Sequence, residues 1–497
     1  MAPIQKNPIV EGVKNVVSTI ALIWSCALVV GLIFSEQTNF ARDVHPIMAL
    51  VLLIFTVNWL SVVEGGQASL VGLAPVNRDL YKESHPMAHK CTDISHTGDN
   101  LDRYLLGRQF MVVFIVFTVN QSGNPIGGAS LWGLPDIVLN IFLGSGLAMI
   151  LLTTMIGQLN SQVNASHCML DYLNTRSNYL TIVVARLIEA SGLVHASYLI
   201  QIVVAAMAGK PIETKEAPRT DVQNIFFFGR CFMSLGILIF AFTVTLVALF
   251  QGKTTMWEGV PNGVAVIVFF LLMSVVGMLE GMQIAFFAVS RIPEDERGNS
   301  FFAKKTCEIL FFGESHNLSG FMIGRQLCVV SCMFFIARVT SLNIDPDSDE
   351  TMFGVSRPIQ SFFNLGFLGA LITTIVASIA WQLVASAFPI AFLSNPFTYI
   401  LLRLCLFLEA TGICNGAYVI AWIHKKIAGF QRDEVYIGTA EERREKQMAD
   451  DQKALAVGTG HLAKLPITDA PEELKNLMAS NPKVKEYMES LHGADDA

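Results

Sequence analysis

Charge is what this chain has least of. Asp, Glu, Lys and Arg make up 15% of its 497 residues, while apolar side chains make up 52%; roughly a quarter of an ordinary soluble domain is charged. That balance excludes a soluble globular protein and points to a chain that crosses a bilayer many times. Lys and Arg are not gathered into a basic patch, so no nucleic-acid partner is expected. The formal charge of −7 says nothing about a solute, because residues 428–497 hold fourteen acids against nine Lys and Arg. The nine cysteines make no disulfide framework: Cys26, Cys231, Cys328, Cys332, Cys405 and Cys414 lie in apolar runs, where a thiol behaves as a small hydrophobe. No Cys/His spacing matches a closed zinc site. The apolar run 16–34 lacks a small-residue cleavage context and reads as an uncleaved first membrane helix. No nucleophile or metal constellation with usable spacing lies at membrane depth, which weighs against a membrane-embedded enzyme.

Long apolar stretches are abundant. Ten can be drawn, at about 15–35, 46–75, 104–122, 137–160, 179–208, 226–250, 261–290, 321–341, 361–393 and 397–424, where a straight crossing needs ~20 residues. The sequence thus predicts an all-α polytopic membrane protein with an N-terminal segment 1–14, a five-helix repeat 15–208, a linker 209–225, a second repeat 226–427 and a soluble charged tail 428–497. Within the tail, 441–455 and the stretch opening at Ala470-Pro471 read as short helices.

The repeat is written in chemistry as well as hydropathy. Glu64-Gly65-Gly66-Gln67, followed by Gly107-Arg108-Gln109, recurs as Glu280-Gly281-Met282-Gln283 followed by Gly324-Arg325-Gln326. Leu152-Thr153-Thr154 recurs as Ile372-Thr373-Thr374, Gln162 as Gln382, and Glu189-Ala190-Ser191-Gly192 as Glu409-Ala410-Thr411-Gly412, each 220 positions on. Five crossings per copy is an odd number, so the second copy is expected to enter from the opposite side, as an inverted-topology repeat. Runs 46–75 and 261–290 exceed one crossing and contain the Gly-bearing motif, which predicts interrupted helices facing each other near the midplane. Both termini are expected in the cytoplasm. An inverted second copy then leaves Arg291, Arg297, Lys304 and Lys305 outside, against the positive-inside tendency.

A carboxylate inside such a run costs ~2.5–3.5 kcal/mol on insertion scales and marks a functional site by default. Gln offers an acceptor and a donor, Gly permits unusual backbone geometry, and Arg neutralises the acid or presents a planar fork of donors. The set suits a small, neutral, polyhydroxylated solute better than a large apolar one.

The paired Glu-Gly-x-Gln and Gly-Arg-Gln elements, with Cys168-Met169-Leu170-Asp171 after the fourth stretch, resemble the silicic acid transporters of diatoms across roughly residues 15–425. The resemblance implies sodium-coupled uptake of orthosilicic acid across the plasma membrane. It also implicates Glu64, Gly65, Gln67, Gly107, Arg108, Gln109, Glu280, Gly281, Gln283, Gly324, Arg325 and Gln326 in substrate recognition. Sodium, the coupling ion, is expected near Glu64 and Glu280, helped by unwound carbonyls at Gly65, Gly66 and Gly281; no other cofactor is called for. The alternative is a carrier of another small polar solute, such as borate, an amino acid or an anion. Outside the motifs, Glu189 and Glu409 are expected to pair with Arg186 and Arg403 in their own helices. His85, His89 and His96 read as polar surface rather than a metal cluster, and Cys168 with Asp171 as a loop cap.

Overall fold

The structure is a computed structural model that describes residues 8–443 apart from 39, 43, 127, 210, 213, 258, 291–292, 294–295, 299, 312–315, 345–350 and 440–441. Contacts divide the chain into two units, Met1–Gln431 and Arg432–Ala497. The described part of the second includes the helical turn Glu434–Ile437; the tail helices expected from 441 onward fall largely or wholly outside the described residues.

The first unit is helical. Its main helices are α1 (Pro8–Phe34), α2 (Pro46–Leu73), α3 (Pro86–Ser95) and α4 (Asn100–Gly123). A fourth span follows, made of α5 (Asp136–Gly144) and α6 (Leu147–Ala165), bent by 46°. Then come α7 (Arg176–Ala190) and α8 (Ala196–Ala208). The second half continues as α9 (Asp221–Phe250), α10 (Asn262–Ser290), α11 (Phe301–Leu310) and α12 (His316–Thr340). It ends with α13 (Arg357–Asn364), α14 (Phe367–Ala387), α15 (Pro396–Thr411) and α16 (Gly416–Ala428), the last two bent by 66°. Among the described residues no strand forms; Thr38–Pro125 and Thr254–Leu342 are isolated bridges. Among the described residues seven helices are long and apolar enough to cross a membrane, or up to nine if each bent pair is one crossing, rather than the ten expected.

The internal repeat extends to backbone detail. Gly146 and Gly366, 220 apart, are both left-handed at the start of α6 and α14. Each of those helices then widens into a π-helical segment, Thr153–Leu159 and Thr373–Ile379. The turns after them begin with matching dihedrals at Cys168 (φ −134°, ψ 48°) and Phe388 (φ −129°, ψ 55°).

Two expectations fail. First, α2 and α10 run unbroken through Glu64-Gly65-Gly66-Gln67 and Glu280-Gly281-Met282-Gln283. In a continuous helix the carbonyls of Gly65, Gly66 and Gly281 are directed at N–H groups one turn on, not at an ion. The glycines serve close approach instead: a Cβ on Gly65 would stand 2.4 Å from the Tyr172 ring, one on Gly66 2.5 Å from Asn178 Oδ1, and one on Gly281 2.5 Å from the Phe392 ring. The discontinuities lie elsewhere, at 191–195 between α7 and α8 and in the bent pairs.

Second, the halves are not inverted. Along α6, Gly146 faces Phe334 of α12 and Gln158 meets Gln326 of α12. Against α4, Met149 lies on Gly123, while Gln162 and Arg108 share Glu64. Numbering rises along α6 as it falls along both α4 and α12, so those two helices run in the same direction. Their C-terminal ends also meet in register, with Asn120 Nδ2 donating to Phe334 O (3.4 Å) and Arg338 to Asn124 Oδ1 (2.9 Å).

The linker agrees. The Thr214 hydroxyl and the Lys215 N–H donate to Asp99, and Arg103 Nη2 lies 2.6 Å from Glu216. These bonds, that of Thr214 first, hold the Asp99 carboxyl below the usual carboxylate range. The chain therefore returns, before α9 begins, to the end where α4 started. Neither α7 nor α8 is among the helices long and apolar enough to cross a membrane by itself. At this near end lie Arg78, Lys82, Lys90, Lys215, Arg219, Arg297, Lys304, Lys305, Lys425 and Lys426; the described connections of the far end carry Arg42, Lys253 and Arg357.

Candidate functional site

The repeated motifs converge on one cavity of about 120 Å³, enclosed by α2, α4 and α6 of the first half and α10, α12 and α14 of the second. Its polar lining is Glu64, Gln67, Arg108, Gln109, Gln158 and Gln162 facing Glu280, Gln283, Arg325, Gln326 and Gln382. The volume is well below the ~300–1,000 Å³ of drug-sized sites and amounts to a few water molecules, so it selects for a very small solute.

Each half builds the same unit. Arg108 Nη2 sits 2.7 Å from Glu64 Oε2, and Arg325 Nη1 3.3 Å from Glu280 Oε1. Each Arg also donates to the Gln after it, Gln109 at 3.0 Å and Gln326 at 3.1 Å. Each carboxylate accepts a second bond, from Gln162 Nε2 at 3.0 Å and from Gln382 Nε2 at 2.9 Å. All four charged side chains are buried. Burying such pairs is weak evidence of stabilisation, because desolvation offsets the attraction, but removing one partner costs ~3–5 kcal/mol. With two acids and two guanidiniums the lining is formally neutral, and seven glutamines supply paired donors and acceptors. Arg108 Nε and Arg325 Nε are buried without a hydrogen-bond partner.

Residues 6–492 match the family model described as silicon transporter. The chain belongs to the silicon transporter family. No curated protein and no solved structure matches it. This silicon transporter is an integral membrane protein, and its cavity gathers the polar and charged side chains of both copies of the motif.

Of the expected site residues, Glu64, Gln67, Arg108, Gln109, Glu280, Gln283, Arg325 and Gln326 line the cavity. The glycines do not. A Cβ on Gly107 would stand 1.8 Å from Ala185 O, and one on Gly324 1.9 Å from Cys405 O. These residues let α7 and α15 cross α4 and α12 at contact distance, the use small residues have in membrane helices. Gln158, Gln162 and Gln382 were not expected in the site. The 220-residue recurrence of Gln162 as Gln382 inside apolar spans was the available signal; Gln158 has no such signal, since its counterpart is Ser378.

Cys168-Met169-Leu170-Asp171 lies outside the cavity. Met169 packs on Gly72 at the end of α2, while Asp171 reaches His85 Nε2 (3.1 Å) and accepts from the Gln431 N–H (2.6 Å). It pins the near-end loops to the chain that follows α16. Among the described residues no three His, Cys, Asp or Glu side chains gather as a metal site. Glu189 accepts from the Tyr198 hydroxyl (2.9 Å) and has His195 Nε2 at 3.7 Å, whereas Arg186 turns to Asn100 (2.9 Å); the expected pairing within one helix gives way to these contacts.

Proposed function

We propose that the protein takes up orthosilicic acid through the central cavity by alternating access, coupled to sodium, at the plasma membrane with both termini in the cytoplasm. The observation that carries this reading is the neutral, amide-rich lining of a cavity sized for a solute of a few heavy atoms. Orthosilicic acid is a neutral tetrahydroxide. Glutamine amides give its oxygens donors, and glutamine carbonyls and carboxylates accept its hydroxyl protons. A neutral solute gains nothing from the membrane potential, whereas a co-transported cation carries ~2.3 kcal/mol per 100 mV. Glu64 and Glu280 each have their Arg and Gln on hand, so a sodium ion there would share the carboxylates with those groups.

The structural frame is eight crossings, four per half, in two halves related by an axis along the bundle, as in transporters built from parallel repeats. The bond from Gln326 to Gln158 joins the halves at the cavity, and rocking of one half against the other would open it. The basic loops of the near end support a cytoplasmic position for that end.

The test is silicic acid flux into liposomes with and without an inward sodium gradient, with germanic acid as a geometric mimic. Accumulation only with sodium, inhibited by germanic acid and sharply reduced in Gln283→Ala, is expected. Equal flux without sodium removes the coupling; inhibition by an amino acid or borate, with germanic acid ineffective, favours the other-solute reading.

A further inference from the structure

A second cavity, about 490 Å³, opens at the near end between the start of α4, the end of α7, the linker and the start of α9. Its chemistry is the reverse of the central one. Arg103, Arg186, Arg219 and Arg230 line it, with Glu189 as the acid among the lining residues. Arg103 is matched by Glu216. Among the described residues the other three have no carboxylate within ion-pair distance: Arg186 donates to Asn100, Arg230 to Ala190 O (3.2 Å), and Arg219 stacks on Phe227 with its guanidinium carbon 4.0 Å from the ring centre. His195 lines the same cavity at 1% exposure, and its Nδ1 is buried without a hydrogen-bond partner. Four guanidiniums therefore share one cavity with a single carboxylate, Glu189, in its lining.

The repeat supplies an internal control. Where the first half has Arg103, Arg186 and His195, the corresponding positions of the second are Gly320, Leu406 and Asn415. The counterpart of Arg230 is Lys14, which spends its charge on Glu11 at 3.1 Å. Among the described residues only one of the two equivalent corners carries this cationic cluster, so the fold does not need it. The remaining walls are Ile94, Val183 and Leu187, and Leu187 is 64% exposed on the outside of the bundle. A charged pocket with an apolar wall open to the acyl region, on the basic face, is the geometry in which anionic head groups dock between membrane helices.

We infer that this corner is a binding site for a phosphomonoester or phosphate dianion, held by Arg186, Arg219 and Arg230 with His195 at its floor. Arginine forks match phosphate oxygens two at a time. A bound dianion would tie the linker and α9 to α4 and α7, and so fasten the second half to the first at this corner.

The test uses the full chain in phosphatidylcholine nanodiscs and reads the thermal unfolding midpoint and adducts in native mass spectra. One arm adds phosphatidic acid to the disc; the other adds inorganic phosphate to the buffer. A rise of several degrees in the first arm alone identifies a lipid head group, and in the second alone a free anion. In either case Arg219→Gln and Arg230→Gln should each abolish the rise, while Lys14→Gln leaves it intact. Arg219 is exposed, so its variant does not endanger folding. No rise in either arm, or an equal rise in Arg219→Gln and Arg230→Gln, overturns the assignment.

Discussion

The two halves present the same polar side chains to the central cavity except at one position. In the first half, position 158 is Gln, and it accepts from Gln326 across the boundary between the halves. In the second, position 378 is Ser, and its hydroxyl instead lies 3.3 Å from Gln382 of its own helix. Gln109, the counterpart of Gln326, bonds to Arg108 beside it. The duplication supplies two equal acid–guanidinium–amide units, and one substitution makes the pocket lopsided. Symmetry provides the charge framework, and asymmetry decides where the halves adhere and which amides stay available to a solute.

The largest expected effect bears on whether the halves are parallel at all. Lys82→Cys and Lys304→Cys, both exposed and at corresponding loops, should react with an impermeant maleimide from the same side of oriented vesicles; reaction from opposite sides would restore the inverted arrangement. Next come the two acids. Glu64→Gln and Glu280→Gln each leave a buried guanidinium without its counter-charge, which costs ~3–5 kcal/mol, and each should lower silicic acid flux at least about tenfold. A large loss in one alone would show that a single half holds the solute. The crossing glycines follow. Gly107→Ala and Gly324→Ala each force a methyl into a carbonyl oxygen, and overpacking of this kind costs ~1–3 kcal/mol, visible as a lowered unfolding midpoint in both. Smallest is the lopsided pair. Gln158→Ser should cost about 1 kcal/mol and speed the exchange between open states, while Ser378→Gln should slow it by adding a second bond between the halves; single-molecule distance measurements across α4 and α12 would record both.

Much of the site was readable in advance, because buried Glu and Arg in apolar runs have few uses. The direction of the second half was not. Local pattern in α2 and α10 is the same whether a helix runs up or down, so orientation rested on counting crossings, and the count turned on 179–208. That stretch is apolar on average but breaks at 191–195, and the chain comes back through Thr214 and Glu216 to the start of α4. With the halves parallel, the loops bearing Lys82 and Lys304 share a face, and the conflict with the positive-inside tendency vanishes. The role of the motif glycines was also out of reach: a glycine that breaks a helix and one that admits a neighbour look identical until Ala185 or Tyr172 is seen against it. Gln158 was invisible for want of a repeated partner.

The widened turns at Thr153–Leu159 and Thr373–Ile379 act as azimuthal settings. A π turn accommodates an extra residue, and each residue of an α-helix advances ~100° about the axis. Everything C-terminal to the bulge is thus swung round relative to a regular helix, and this phase brings Gln162 and Gln382 onto the carboxylates of α2 and α10. Ironing out either bulge would rotate its glutamine off the acid without moving the helix sideways, so the coordination of the pocket can be switched by twist alone.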